Sequence, residues 1–183
     1  MLGVYCSAKS SNTNLRFVNV KLMREIKEAL LHSKGFFKRK RRKKLLRLEQ
    51  LLLKCTFGDN HTTLIYDRDK ELSSQMQRYV TMNFRGLTSI STKISVLHTE
   101  RYSYVIVWLH SHELTKMQWG LTKQFGFESD YPVYRPHVTL LTLPRAYEDA
   151  LTRKSDYLIE YYTRELLHKR FDFGVPTFYT LND

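Results

Sequence analysis

Two stretches, "NHTTLIYD" at 60–67 and "RPHVTLLT" at 135–142, are near copies of each other. Each sets a histidine two residues before a threonine and then runs into aliphatic residues, and the two histidines stand 137 − 61 = 76 positions apart. β-branched and aliphatic residues dominate both stretches, the composition of a strand. Side chains alternate along a strand, so positions i and i+2 share a face about 6–7 Å apart. His61 and Thr63 are therefore expected on one face with Ile65, and Thr62, Leu64 and Tyr66 on the other; His137 and Thr139 form the second pair. With seven histidines in 183 residues, about 0.6 His-x-Thr triplets are expected by chance. One triplet decides nothing, whereas two in the same strand context ask for an explanation.

The rest of the composition bounds that explanation. A chain of 183 residues, 42% hydrophobic and 13% aromatic, is long enough for a real core and short enough for a single domain, read here as 1–183. The net charge of +12 is local, because "KRKRRKK" at 38–44 carries seven charges and leaves 12 − 7 = +5 for everything else. Such a run meets phosphate or acidic surfaces, guides a eukaryotic nuclear import receptor, or simply stays solvated. Cys6 and Cys55 are the only cysteines, too few for a disulfide framework or a Cys-rich zinc site, which fits a reducing, cytoplasmic setting. No basic leader with an apolar stretch opens the sequence, and the leucine-rich segment 45–53 is broken by Arg47, Glu49 and Gln50; no export signal or membrane span is expected.

Periodicity predicts the remaining elements. Residues 3–9 alternate as a strand, with Val4, Cys6 and Ala8 on one face and Tyr5 and Ser7 on the other. A helix is expected over 18–33 with Asn19 as N-cap and Val20, Met23, Ile26, Lys27, Leu30 and Leu31 near its stripe; Gly35 hinges it to a second helix on Leu45, Leu48, Leu52 and Cys55. A helix over 72–85 and a hairpin of "SISTKISVLHT" and "YSYVIVWLH" follow. Ser111 then caps a helix with Glu113 in its first turn that runs to Gly126. Residues 145–169 are largely helix-compatible, with "YLIEYYTREL" open to a strand reading, and "RFDFGVPTFYTL" suits an edge strand or hairpin. The sum is mixed α/β, with two lobes each contributing one histidine strand.

The paired motifs suit one kind of chemistry. An imidazole holds or releases a proton near neutral pH, so one histidine can act as base while the other acts as acid. Threonine hydroxyls can donate to non-bridging oxygens, where charge builds in a phosphoryl transition state. Neither role needs a metal. The competing structural reading is that both imidazoles merely satisfy backbone groups at strand starts.

In these motifs the chain resembles the two-histidine phosphoesterase superfamily. "HTTLIYD", "YRPHVTL" and the opening "GVYCSAK" look most like the phage anti-CBASS phosphodiesterases that destroy cyclic oligonucleotide second messengers. The resemblance implies a bilobed α/β (α+β) fold of two small antiparallel-rich sheets flanked by helices around a central cleft. It implies a phosphodiesterase without cofactor or metal, with His61 and His137 as the acid–base pair and Thr63 and Thr139 on the phosphate; Tyr5 is expected at the cleft. The substrate it implies is a cyclic di- or trinucleotide, cut at 3′,5′ bonds by 2′-hydroxyl attack. The same four residues would equally serve 2′,5′-linked oligonucleotides or 2′,3′-cyclic RNA ends. From a different class, a non-catalytic nucleotide sponge or RNA-binding module would use the cup only to hold phosphate.

The sequence departs from the resemblance in one place. The basic, leucine-rich helical stretch at about 34–56 lengthens the distance from first strand to first motif, and a basic run at 38–44 would suit RNA. Among the aromatics, Phe171, Phe178 and Tyr179 (with Phe173) are candidates for base stacking. "HSHE" at 110–113 would chelate a metal if extended, but Ser111 as a helix cap explains it more simply. His32, His98 and His168 have no partner pattern.

Overall fold

The computed structural model describes residues 3–33, 39–128 and 133–181. The Gly35 hinge, Phe36, Phe37 and Lys38 lie outside the described residues. In chain order the elements are β1 (Gly3–Lys9), α1 (Leu15–Leu31), α2 (Arg39–Leu52), β2 (Thr56–Phe57), β3 (His61–Asp67), α3 (Ser74–Asn83), β4 (Leu87–His98) and β5 (Tyr102–His110). Then follow α4 (His112–Phe125), β6 (His137–Pro144), a 3-10 turn (Arg145–Tyr147), α5 (Glu148–Thr152), α6 (Ser155–Leu166), β7 (Arg170–Phe173) and β8 (Thr177–Leu181). The mixed α/β class stands. The strand reading of "YLIEYYTREL" does not, because Leu158, Tyr161, Tyr162 and Leu166 fall on one helical face and are buried.

All strands join one antiparallel sheet in the order β7-β4-β5-β6-β3-β1-β8, with β2 beside β6. The expected two small sheets are thus two wings, β8-β1-β3 and β6-β5-β4-β7, joined among the described residues through the couple Thr62–Val138. That seam is where the two histidine strands meet. β7 and β8 do not form a hairpin: they lie at opposite edges, on β4 and β1. The Gly174–Pro176 link can cross between edges because the sheet curls, bringing Phe173 against Ser10 and the Gly174 N–H to the Lys9 carbonyl at 3.0 Å.

The helices cover the face opposite the histidines. β1 behaves as its alternation demands, with Val4, Cys6 and Ala8 fully buried. The buried face of α1 is Leu15, Asn19, Leu22 and Ile26, so Asn19 is an interior residue and Asn14 is the N-cap, accepting the Phe17 N–H at 3.0 Å. An asparagine is tolerated in the helix interface because Tyr162 donates its hydroxyl to the Asn19 side-chain oxygen at 2.7 Å. Removing either partner would leave the other unsatisfied, at a cost of about 1–3 kcal/mol. Val20 and Leu31, expected inside, are exposed. On α2, Leu45, Leu48, Leu51 and Leu52 anchor the helix to the core while Arg39 to Lys44 stay in solvent. Ser73 caps α3, Ser111 caps α4 by accepting from the Leu114 N–H, and Gly126 closes α4 at φ 63°. Among the described residues, no helix is long and apolar enough to cross a membrane.

Candidate functional site

The seam decides how the four motif residues meet. Thr62 pairs with Val138 in antiparallel register, so one position to either side His61 faces Thr139 and Thr63 faces His137. The two histidines occupy one diagonal of a four-cornered cup and the two threonines the other. Diagonal positions across neighbouring strands are about 7–8 Å apart, which leaves room for one phosphate between the imidazoles. The outer strands continue both rows: Trp108 beside His137 and Ile106 beside Thr139 on β5, Ser7 beside Thr63 and Lys9 beside His61 on β1. Thr62 and Val138 point into the core and are fully buried, while all four motif residues are half-buried.

Both imidazoles are held from behind in the same way. His61 Nδ1–H donates to the Asp59 carboxylate, and His137 Nδ1–H donates to the Arg135 carbonyl at 3.1 Å. Each anchor lies two residues upstream. Because carboxylate and carbonyl oxygens only accept, Nδ1 carries the proton in both rings and each Nε2 is left to the cup. Burial holds the His137 pKa below its ordinary 6.5, with the His61 charge pushing the same way and the Arg135 carbonyl opposing. At neutral pH His137 is therefore a neutral ring with a free Nε2 lone pair. Asp59 is expected to act as a positioning residue. Asp59→Asn, which keeps an acceptor but loses the charge, should lower kcat about tenfold with KM little changed, and Asp59→Ala should lower it further. Steady-state kinetics checks this.

The two strands also share an irregularity. Along β1 and β3 the register jumps from Cys6–Ile65 to Ser7–Thr63, leaving Leu64 as an extra residue. Along β5 and β6 it jumps from Val105–Leu141 to Ile106–Thr139, leaving Leu140 extra. Each His-x-Thr is thus followed by a β-bulge, which turns two consecutive aliphatics, Leu64 with Ile65 and Leu140 with Leu141, into the core. Ile65 consequently does not share the face of His61 and Thr63, and Tyr66 takes the open side instead. The second bulge is braced by Gly58, whose N–H donates to the Leu140 carbonyl at 3.0 Å. A Cβ on Gly58 would stand 1.7 Å from the Thr139 carbonyl oxygen, a backbone atom that cannot swing away. Gly58→Ala is expected to destabilise the protein by about 2–4 kcal/mol and to displace Thr139. Thermal unfolding and the residual turnover of the variant would check this.

Around the cup, Tyr5 does what its place on β1 suggests. Its ring meets His61 edge-on at 5.8 Å, and its hydroxyl accepts a long 3.4 Å contact from Thr63. Burial raises the Tyr5 pKa, so the phenol stays protonated. Tyr179 is 51% exposed and 6.0 Å from Tyr5, open to solvent beside the cup. Phe171 and Phe178 are not: Phe171 is fully buried against Phe173, and Phe178, 7% exposed, stacks on Phe127. Edge-strand alternation sends them to the core face, which composition alone does not reveal. Tyr134, Asp59 and Trp108 are additions. Tyr134 donates to the Thr63 carbonyl at 3.1 Å and ties the approach to β6 onto β3. Trp108 packs edge-on to His137 at 5.6 Å with its N–H committed to Ser95. Their signals were local, "GDNH", "VYRPH" and "VIVWLH", but nothing in the sequence says which strands touch.

Two grooves flank the cup. One of about 730 Å³ runs along α1 and reaches Phe57, Asp59 and Asn60, with Lys9, Arg16 and Lys27 on its walls. The other, about 410 Å³, opens beyond Trp108. His110 ends β5 and His112 starts α4, and among the described residues no group of three metal-ligating side chains comes together. The basic run projects from α2, and Lys44 and Arg47 with Arg153 crowd Lys154, whose pKa is lowered by its burial first and by these cations next.

Among curated proteins none matches the sequence. Two solved structures of Usb1 from Kluyveromyces marxianus, one of them with uridine monophosphate, share the fold: TM-score 0.52 for both, at 9% and 10% identity, covering 100% of this chain and 98% of theirs. A family model described as "Anti-CBASS protein Acb1" matches residues 3–159, a span that holds both histidine strands and the tyrosine of β1, and the chain accordingly belongs to the Acb1 family of anti-CBASS proteins.

Proposed function

We propose that the chain is a nucleotide phosphodiesterase that cleaves the 3′,5′ bonds of cyclic oligonucleotide second messengers, and so counters a host's cyclic-nucleotide antiviral signalling. The observation that carries this reading is the diagonal placement of two imidazoles, each with Nδ1 anchored and Nε2 free toward the same cup. In-line displacement at phosphorus requires a base on the side of the attacking oxygen and an acid on the side of the leaving oxygen. Diagonal histidines supply both. The family description gives the reading its setting.

His137, neutral at pH 7, takes the proton of a ribose 2′-hydroxyl at Nε2. The 2′-oxygen bonds to phosphorus as the P–O5′ bond breaks, and His61 delivers its Nε2 proton to the departing 5′-oxygen. The Asp59 carboxylate faces the imidazolium that this role requires. Thr63 and Thr139 donate to the non-bridging oxygens, where the charge accumulates. The products are a 2′,3′-cyclic phosphate and a 5′-hydroxyl. Water then opens the cyclic phosphate with the roles reversed, His61 taking the proton and His137 returning one to the 2′-oxygen.

The test is incubation with EDTA of the purified protein and a panel: cyclic di- and trinucleotides, 2′,5′-oligoadenylate and an RNA ending in a 2′,3′-cyclic phosphate. Fastest loss of a cyclic oligonucleotide, through a 2′,3′-cyclic intermediate seen by mass analysis, is the expected result. Faster loss of the 2′,5′ or RNA-end substrate would move the activity to those bonds, and tight binding with no turnover would leave a sponge. An RNA contact through α2 is a separate proposal. Replacing Lys40, Arg41, Arg42 and Lys43 by glutamine should then reduce the slope of log K for RNA against log salt concentration by roughly 0.7 per lost phosphate contact.

A further inference from the structure

The row that carries His137 does not end at the cup. β5 and the approach to β6 keep their pairing past the start of the strand: Trp108 lies opposite His137, and the Leu109 N–H reaches the Pro136 carbonyl at 2.9 Å. The same register sets His110 opposite Arg135. Alternation places His110 on the face of Trp108 and Arg135 on the face of His137, each about 6–7 Å further along. That is roughly the span of one nucleotide step. The groove of about 410 Å³ opens here, lined by Trp108, His110, His112, Thr115, Tyr134 and Arg135, with no acidic side chain in its lining among the described residues. Glu113, the acid next in sequence, has its carboxylate on the Ser111 hydroxyl at 3.3 Å. Among the described residues the side chains of His110, His112 and Arg135 make no ion pair or hydrogen bond. Three basic groups thus stand unengaged beside one aromatic wall, in continuous register with the His137 corner.

We propose that His110, His112 and Arg135 form a subsite for a second phosphate of the substrate, the phosphodiester next to the one being cut, with the intervening nucleoside lying along Trp108. This rests on the phosphodiesterase reading for the first phosphate. It makes the cleft a reader of substrates with at least two phosphates, because a single-phosphate ligand fills the cup and leaves this groove empty.

The experiment measures binding in a catalytically disabled background, the His61→Ala/His137→Ala protein, by calorimetry. The probes are 3′,3′-cyclic dinucleotides of adenine, guanine and uracil, and the matching 2′,3′-cyclic mononucleotides, which carry one phosphate. In that background Arg135→Gln and His110→Gln should each weaken the best cyclic dinucleotide at least tenfold and the one-phosphate probe less than threefold, and Arg135→Lys should recover part of the loss. Both side chains are exposed, so folding, followed by circular dichroism, should be unaffected. Equal losses for both probes, no loss for either, or no binding of any cyclic dinucleotide by the parent would each overturn the subsite. The phosphodiesterase reading fails differently: the wild-type protein would then bind the dinucleotides with the same Arg135 dependence and turn none of them over.

Discussion

Replacing His137 by alanine should lower kcat about a thousandfold while leaving substrate affinity within a few-fold, since general acid–base catalysis contributes about 10²–10⁴ and acts only in the transition state. His61→Ala should do the same. The double variant should be little worse than either single one, because base and acid serve one concerted transfer and the loss of one idles the other. The pH profile separates the two roles. His137 is held below its ordinary 6.5 by burial first and by the nearby His61 charge, so it loses its proton at lower pH than a free imidazole. The acid limb of kcat/KM is expected below about pH 6.5 and should vanish in His137→Ala. The same shift sets a stability window. A histidine with a depressed folded pKa lets the unfolded chain bind more protons as pH falls. The stability tied to neutral His137 is therefore present above about pH 6.5 and is lost as pH drops through its folded value. His137→Gln should then lose part of the wild type's decline in stability between neutral and mildly acid pH. A wild-type limb that persists unchanged in His137→Ala would remove the base assignment.

What the sequence made legible, and what it hid, divides along local and non-local lines. β1, β4, β5 and α4 were readable to within two residues because alternation, the Ser111 cap and Gly126 are written into adjacent positions. The His-x-Thr pairs announced themselves by repetition. The face of α1 was misread because its true stripe contains Asn19, which only a tyrosine 143 positions away makes tolerable, while exposed Val20 and Leu31 imitate a core stripe. The bulges at Leu64 and Leu140 were hidden because a period of two carries no mark of where it slips. Yet both follow the same threonine and both precede a second aliphatic, so the doubled "TLI" and "TLL" held the clue. β7 and β8 left an edge-strand and a hairpin reading open because they are adjacent in sequence, and the curl of the sheet decides for edge strands at opposite ends. Asp59 belongs to no motif that the sequence repeats, although "GDNH" packs three local demands together. Gly58 permits close approach to Thr139, Asp59 holds His61, and Asn60 takes a left-handed φ of 67° that asparagine tolerates better than most residues.

Thr139→Val carries the second largest expected loss, about a hundredfold in kcat with the fold retained. Valine keeps the shape and β-branching that suit the strand but removes the hydroxyl that this corner offers to a non-bridging oxygen. Thr139→Ser keeps that donor, and its turnover should fall less than tenfold. Thr63→Val should cost a similar amount in kcat, with an additional effect absent at position 139: Thr63 also contacts the Tyr5 hydroxyl, so its removal frees the Tyr5 ring and should raise KM. The asymmetry follows from the surroundings of the two corners. Thr139 is positioned by backbone alone, between the Leu140 bulge and Gly58, whereas Thr63 is positioned by Tyr5 in front and by Tyr134 on its carbonyl behind. Tyr134→Phe should therefore disturb the Thr63 corner and spare the Thr139 corner. A threonine pair that merely shaped the strands would behave otherwise: valine would be neutral at both positions and serine would be the worse substitute, because strand packing favours the branched side chain. The order of valine and serine at position 139 thus decides whether the second His-x-Thr places a donor on phosphate or only fills the sheet.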